Sequence, residues 1–201
     1  MHPNKIFDWT DRGAMLNFAA DRSFAHIFTA SADGPFVVHA PILVTDQGKI
    51  WFHVARRNSI AAHLPGGRLL ISLAGRDAYQ SANWYVSDNQ VPTWHYETVE
   101  IEGAARVLAD EELVALLDGL SERFERQLSP ERPWTRHKME PGKFEAMTRA
   151  IVGFEVDPVE VRGTRKLNQH KPADDVAANI AGQQGAGRDD IVAAISEIKH
   201  G

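Results

Sequence analysis

A closed or nearly closed antiparallel β-barrel with flanking helices, mainly β within an α+β chain, is the fold this sequence predicts, on three observations. Six or seven short apolar runs have strand composition, most are joined by turn formers, and neither G-x-G-x-x-G nor G-x-x-x-x-G-K-[ST] occurs. A doubly wound sheet built on a nucleotide loop is therefore not expected. Any nucleotide must be met by side chains and strand backbone.

In order, the chain opens on a short helix that Asp8 or Thr10 can cap, with Met15, Leu16, Phe18 and Ala19 as its apolar stripe. Residues 24–30, 36–44 and 50–54 form a three-stranded meander, broken by Asp33-Gly34-Pro35 and Asp46-Gln47-Gly48. Residues 59–64 read as a helical segment stopped by Pro65-Gly66-Gly67, and 68–74 as the next strand. After Gly75-Arg76-Asp77, the aromatic content of 78–86 favours a strand or an extended loop. Val99 and Ile101 then alternate with Glu100 and Glu102 as in a strand with one wet face, and Gly103 marks a bulge.

The clearest helix follows. Leu113, Leu116, Leu117, Leu120, Phe124 and Leu128 recur at helical spacing behind Asp110, Glu111 and Glu112 at the positive end. Residues 143–148 form a further short helix, and 151–156 and 159–165 are two halves of a kinked strand around Asp157-Pro158. Residues 166–175 read as an extended polar surface segment, 182–187 as a Gly/Gln/Ala linker, and Ile191, Val192, Ile195 and Ile198 as the stripe of a last helix. So short a helix must dock on the body or on a second subunit. The expected division is a barrel domain over 1–180 with a linker and helix over 181–201 appended.

Composition narrows the function. With 201 residues and 43% hydrophobic content the chain buries a full core, while a net charge of −5 gives no global attraction to nucleic acid. Arg123, Arg126, Arg132, Arg136, Lys138, Lys143 and Arg149 are interleaved with Glu122, Glu125, Glu131, Glu140 and Glu145, which is the pattern of a solvated mixed face rather than a DNA surface. No apolar run approaches bilayer length, the N-terminus lacks a signal-type apolar core, and cysteine is absent, all of which fit a cytoplasmic protein with no membrane partner.

Arg56-Arg57-Asn58 stands where the third meander strand ends, so that two guanidinium groups and an amide could hold a phosphate or simply form a solvated strand edge. In the run His39-Ala40-Pro41-Ile42-Leu43, Pro41 cannot donate to a ladder, which marks either a barrel rim or backbone free to meet a ligand. None of the nine histidines forms H-E-x-x-H, and His26, His39 and His53 on separate strands read as locally hydrogen-bonded barrel residues, not metal ligands.

The runs Phe24-Ala25-His26, His39-Ala40-Pro41-Ile42-Leu43, His53-Val54-Ala55-Arg56-Arg57-Asn58, Asp77-Ala78-Tyr79, Asn83-Trp84-Tyr85, Val91-Pro92-Thr93-Trp94-His95-Tyr96 and Lys166-Leu167-Asn168-Gln169 resemble the PaiB family of FMN-binding negative transcriptional regulators. The family's usual asparagine after tryptophan is His95 here. The resemblance implies a split β-barrel that forms a homodimer and holds FMN between subunits. Its implied cofactor contacts are His39, Ala40, Pro41, Ile42 and Leu43 at the ring edge, Arg56, Arg57 and Asn58 at the phosphate, and Trp94, Lys166 and Gln169 nearby. It leaves two activities open: a flavin-dependent oxidoreductase acting on a small molecule, or a transcriptional regulator.

Overall fold

The computed structural model describes residues 2–32 and 34–198. Its strands are β1 (Asp8–Trp9), β2 (Phe24–Ser31), β3 (Gly34–Val44), β4 (Ile50–Ala55), β5 (Arg68–Gln80), β6 (Thr93–Val107), β7 (Ile151–Val156) and β8 (Glu160–Lys166). Five helices accompany them: α1 (Arg12–Arg22), α2 (Asp110–Leu128), α3 (Lys143–Thr148), α4 (Ala173–Gly185) and α5 (Asp189–Ile198). The strands hydrogen-bond in the order β1-β8-β6-β5-β2-β3-β4-β7, and a further β6–β7 pairing closes six of them into the ring of a split barrel. The chain divides into two compact units, one of residues 1–15, 74–99 and 162–201, the other of 16–73 and 100–161.

The second unit contains the meander. β2 pairs antiparallel with β3 from Phe24↔Pro41 to Ser31↔Gly34, and β4 pairs with β7 over its whole length, from Ile50↔Val156 to Ala55↔Ile151. Alternation turns Ala25 and Ile27 of β2, Ala40 and Ile42 of β3, and Ile50, Phe52 and Val54 of β4 into the core, where Phe52 stacks on Phe154. The expected turn residue Asp33 lies outside the described residues. Residues 59–64, expected to be helical, make only a short 3-10 turn over Ser59–Ala62. Helix α2 buries Leu113, Leu116 and Leu120 against Leu43, Trp51 and Ile151, and Glu112 caps its start by accepting the Ala109 N–H at 2.8 Å. Its apolar stripe ends there, since Phe124 and Leu128 are exposed.

Two expectations are corrected in this unit. Gly103 does not merely mark a bulge: a Cβ there would stand 2.5 Å from the Asp157 carbonyl oxygen, so the two backbones meet where only glycine fits. Residues 151–165 are not one kinked strand. β7 pairs with β4 and β6 and ends at Val156, whereas β8 is a new strand whose Gly163 and Thr164 pair with Trp9 and Asp8 of β1.

The first unit departs further from expectation. Asp8 lies in β1, and Asp11 caps α1 by accepting the Ala14 N–H at 2.9 Å. β5 runs unbroken through Gly75-Arg76-Asp77, because Arg76 is tied to the buried Glu97 at 2.7 Å and to Glu197 at 2.8 Å. Residues 173–185 form α4, which takes in the end of the segment read as extended (166–175) and the start of the expected linker (182–187); apart from Val176 its buried residues are polar. Asp175 accepts from the Val86 and Ser87 N–H groups at 2.9 Å each, Asn179 accepts from Gln80, and Gln183 donates to the Tyr79 carbonyl at 3.0 Å. The backbone donors around Asp175, led by Ser87, hold its carboxyl below the usual range. Gly182 belongs to this helix and lies so close to the Trp84 ring that a Cβ would stand 2.4 Å from it. Helix α5 docks on the same unit, burying Ile191, Ala194 and Ile195 against Ala78, Leu167 and Val176.

Candidate functional site

β3 and β4 share only the register Ile42↔Phe52 to Val44↔Ile50. Beyond Phe52, β4 keeps its β7 partner, and no strand pairs with the β4-facing edge of β3 from His39 to Pro41 among the described residues. This opening is where the barrel splits, and Pro41 stands at it. Ala40 and Ile42 point inward and are buried, while His39, Pro41 and Leu43 lie on the outward face. His39 meets His26 edge-to-face at 4.7 Å as a cross-strand pair, and no hydrogen bond to either ring is present among the described residues.

Arg56 and Arg57 follow β4 immediately. The Arg56 amide donates to the Ala150 carbonyl at 2.8 Å, and its guanidinium donates to the Arg149 carbonyl at 3.2 Å and the Ile151 carbonyl at 2.8 Å. Those bonds satisfy carbonyls between α3 and β7 and hold the Arg56 head in place. Arg57 is exposed and has no hydrogen-bond or ion-pair partner among the described residues. Asn58 is occupied differently, since its Oδ1 accepts the Ile60 N–H at 3.2 Å and caps the 3-10 turn. Arg56, Arg136 and Arg149 together line a cavity of about 570 Å³.

Three expected residues lie in the other unit. Lys166 donates to Thr93 Oγ1 at 2.6 Å. Gln169 folds back on its own segment, accepting the Leu167 N–H at 2.8 Å and donating to the Arg165 carbonyl at 2.5 Å, so its amide holds the turn after β8. Trp94 is 53% exposed and meets Tyr79 edge-on at 6.1 Å.

Two histidines have environments that the sequence did not lead one to expect. His95 on β6 is buried with neither ring nitrogen hydrogen-bonded among the described residues, and burial, followed by Lys166 and His170, lowers its pKa to about 4. His53, expected to be locally hydrogen-bonded, has a buried Nδ1 without a partner among the described residues, and burial lowers its pKa. His95 shares the buried face of β6 with Val99 and Ile101, whereas His53 is on the outer face of β4, whose burial depends on what covers it. The basic stretch is met by carboxylates: Arg123 by Asp21, Arg126 by Glu122, Arg136 by Asp118 and Lys143 by Glu140. Among the described residues no cluster of three or more His, Asp or Glu could hold a metal, and no helix is long and apolar enough to cross a membrane.

Residues 1–160 match the family described as "Putative FMN-binding domain". The chain is 26% identical over 182 residues to the protease synthase and sporulation protein PAI 2 of Bacillus subtilis (strain 168), covering 85% of this chain and 83% of the relative. Two solved structures share its fold. The flavocytochrome Anf3 of Azotobacter vinelandii superposes with a TM-score of 0.59 at 14% identity, covering 83% of this chain and 72% of that one. The FAD and heme binding protein of Mycobacterium smegmatis gives 0.58 at 17% identity, covering 85% and 79%. With a family match spanning most of the chain and a split barrel beneath it, this is a PaiB-family FMN-binding protein.

Proposed function

We propose that the FMN phosphate is held by Arg56, Arg57 and Asn58, that the ring edge meets the open strand from His39 to Leu43, and that the flavin serves an oxidoreductase reaction on a small molecule. The observation that carries this reading is the pairing of two features in one unit: a strand edge without a ladder partner at Pro41, and an exposed, unpartnered Arg57 beside an Arg56 already fixed by carbonyls. These residues fit FMN, which needs cations for a dianion at one end and main-chain groups for its ring edge at the other. When bound, FMN supplies hydride or electron transfer. The chain's own part is to bind, orient and exclude water. Asn58 contributes its side-chain Nδ2, because the cap uses only Oδ1 while its backbone N–H already donates to the Ala55 carbonyl at 2.9 Å. Trp94, Lys166 and Gln169 remain proposed flavin contacts, and Lys166 and Gln169 would exchange their present bonds to make them.

We further propose a homodimer. The outward face of β2 and β3 carries Phe24, Phe28 and Val37 at 58%, 38% and 48% exposure, with His26, His39 and Pro41 between them, and such a row is unusual on a monomer. Light scattering at micromolar concentration with FMN present should give twice the 22.3 kDa chain mass, with flavin absorbance travelling with the protein. A monomer that carries flavin would overturn the dimer. A dimer that leaves the flavin behind would overturn the cofactor site.

A further inference from the structure

A second, smaller cavity of about 340 Å³ lies in the barrel unit, between the outer face of β4, helix α2 and the segment that ends in α3. Its size is at the low end of small-molecule pockets. Phe144, Trp134 and Met147 provide much of its wall, and Trp134 and Met147 remain 39% and 64% exposed, so large apolar side chains stand uncovered at its mouth. Methionine walls adapt to varied shapes. The charged members cancel: Arg136 donates to Asp118 at 3.1 Å and lies 5.1 Å over the Phe144 ring, which fixes a flat wall without net charge. An ionic ligand would meet no uncompensated partner there.

One polar group in this wall has nothing to bond. His53 Nδ1 is shielded from solvent without a partner, no hydrogen bond to Nε2 exists among the described residues either, and Nε2 is the ring nitrogen left accessible. Nε2 is open to solvent, so a ligand oxygen there exchanges a water contact and fixes orientation rather than relieving the buried Nδ1. Burial also keeps this ring neutral near pH 7, consistent with an uncharged partner.

We infer that this cavity is a binding site for a neutral, planar aromatic molecule of one or two fused rings bearing a hydroxyl or carbonyl oxygen, which hydrogen-bonds to His53 Nε2 while its face lies on the Phe144 and Trp134 side of the cavity. The site uses none of His39–Leu43 or Arg56–Asn58, but Arg136, Phe144 and Thr148 line both this cavity and the one beside Arg56, so competition with FMN is what separates the two. The probe is 2-naphthol, titrated calorimetrically into the full chain beside naphthalene, which lacks the oxygen, and 2-naphthoate, which is charged. The expected order has 2-naphthol at least tenfold tighter than both. In Ser121→Trp, which fills the cavity from α2, all binding should vanish; in His53→Phe, naphthalene should bind as in wild type and the preference for 2-naphthol should disappear. Thermal melts of both variants establish that they fold. Unchanged 2-naphthol affinity in a folded Ser121→Trp, an undiminished preference in His53→Phe, or displacement of 2-naphthol by stoichiometric FMN would each overturn the separate site.

Discussion

Gly103→Ala should destabilise the barrel unit by about 3 kcal/mol, at the severe end of what a single added methyl does. The new Cβ would stand 2.5 Å from the Asp157 carbonyl oxygen and 2.6 Å from Val156 Cγ1. A flexible side chain could move aside, but a backbone carbonyl cannot without dragging the end of β7, which pairs with both β4 and β6. The Glu102 carbonyl beside it also accepts the Val159 N–H at 2.9 Å, so the same shift would strain that bond. Chemical denaturation checks this: a midpoint within error of wild type would mean that the close approach relaxes at little cost.

Glu155→Gln should cost roughly 2–3 kcal/mol at neutral pH, a figure reduced from the buried-pair range because its cationic partners are partly solvated. Glu155 is 5% exposed and accepts from Lys49 at 2.9 Å, Arg106 at 2.8 Å and the Trp51 indole at 2.8 Å. Arg106 continues the network to Glu112 at 2.7 Å. Burial alone would raise the Glu155 pKa, but the bonds from Arg106, Lys49 and Trp51 outweigh it and leave it lowered. Glu112 is pulled down to about 2 by Arg106 and the Ala109 N–H. Carboxylates with depressed folded pKa values stabilise fully above their ordinary value of 4.5, and that stability is lost as pH falls through the folded pKa. The gap in melting temperature between wild type and Glu155→Gln should therefore be constant from pH 7 to about 5 and narrow below it. A gap that stays constant down to pH 3 would remove the carboxylate charge from the explanation.

The meander was legible because strand period, turn formers and apolar content all agreed from Phe24 to Ala55. Placement of Arg56 and Arg57 at its end followed from the same reading. Helix α4 was hidden for a physical reason: of its four buried residues Asp175, Asn179 and Gln183 are polar and only Val176 is apolar, which gives a search for apolar periodicity too little to find. Gly182 then looked like a linker residue, when it is the position where α4 approaches Trp84. β5 was cut at Gly75-Arg76-Asp77 because local turn propensity pointed there, and a buried carboxylate, Glu97, overrode it from far along the chain. At the site, local sequence identified the cations but not their state. That Arg56 is engaged by carbonyls, that Arg57 is free of such bonds, and that the Asn58 amide caps a turn all depend on α3 and β7 folding back beside them.

Comparative titration of FMN and riboflavin into wild type and Arg57→Ala, followed by flavin fluorescence, tests the phosphate site most directly. A charge-assisted hydrogen bond contributes about 1.5–3 kcal/mol, so wild type should prefer FMN over riboflavin by one order of magnitude or more, and Arg57→Ala should lose about tenfold or more in FMN affinity while riboflavin affinity stays the same. Equal binding of the two flavins by wild type, or unchanged FMN affinity in Arg57→Ala, would contradict the account.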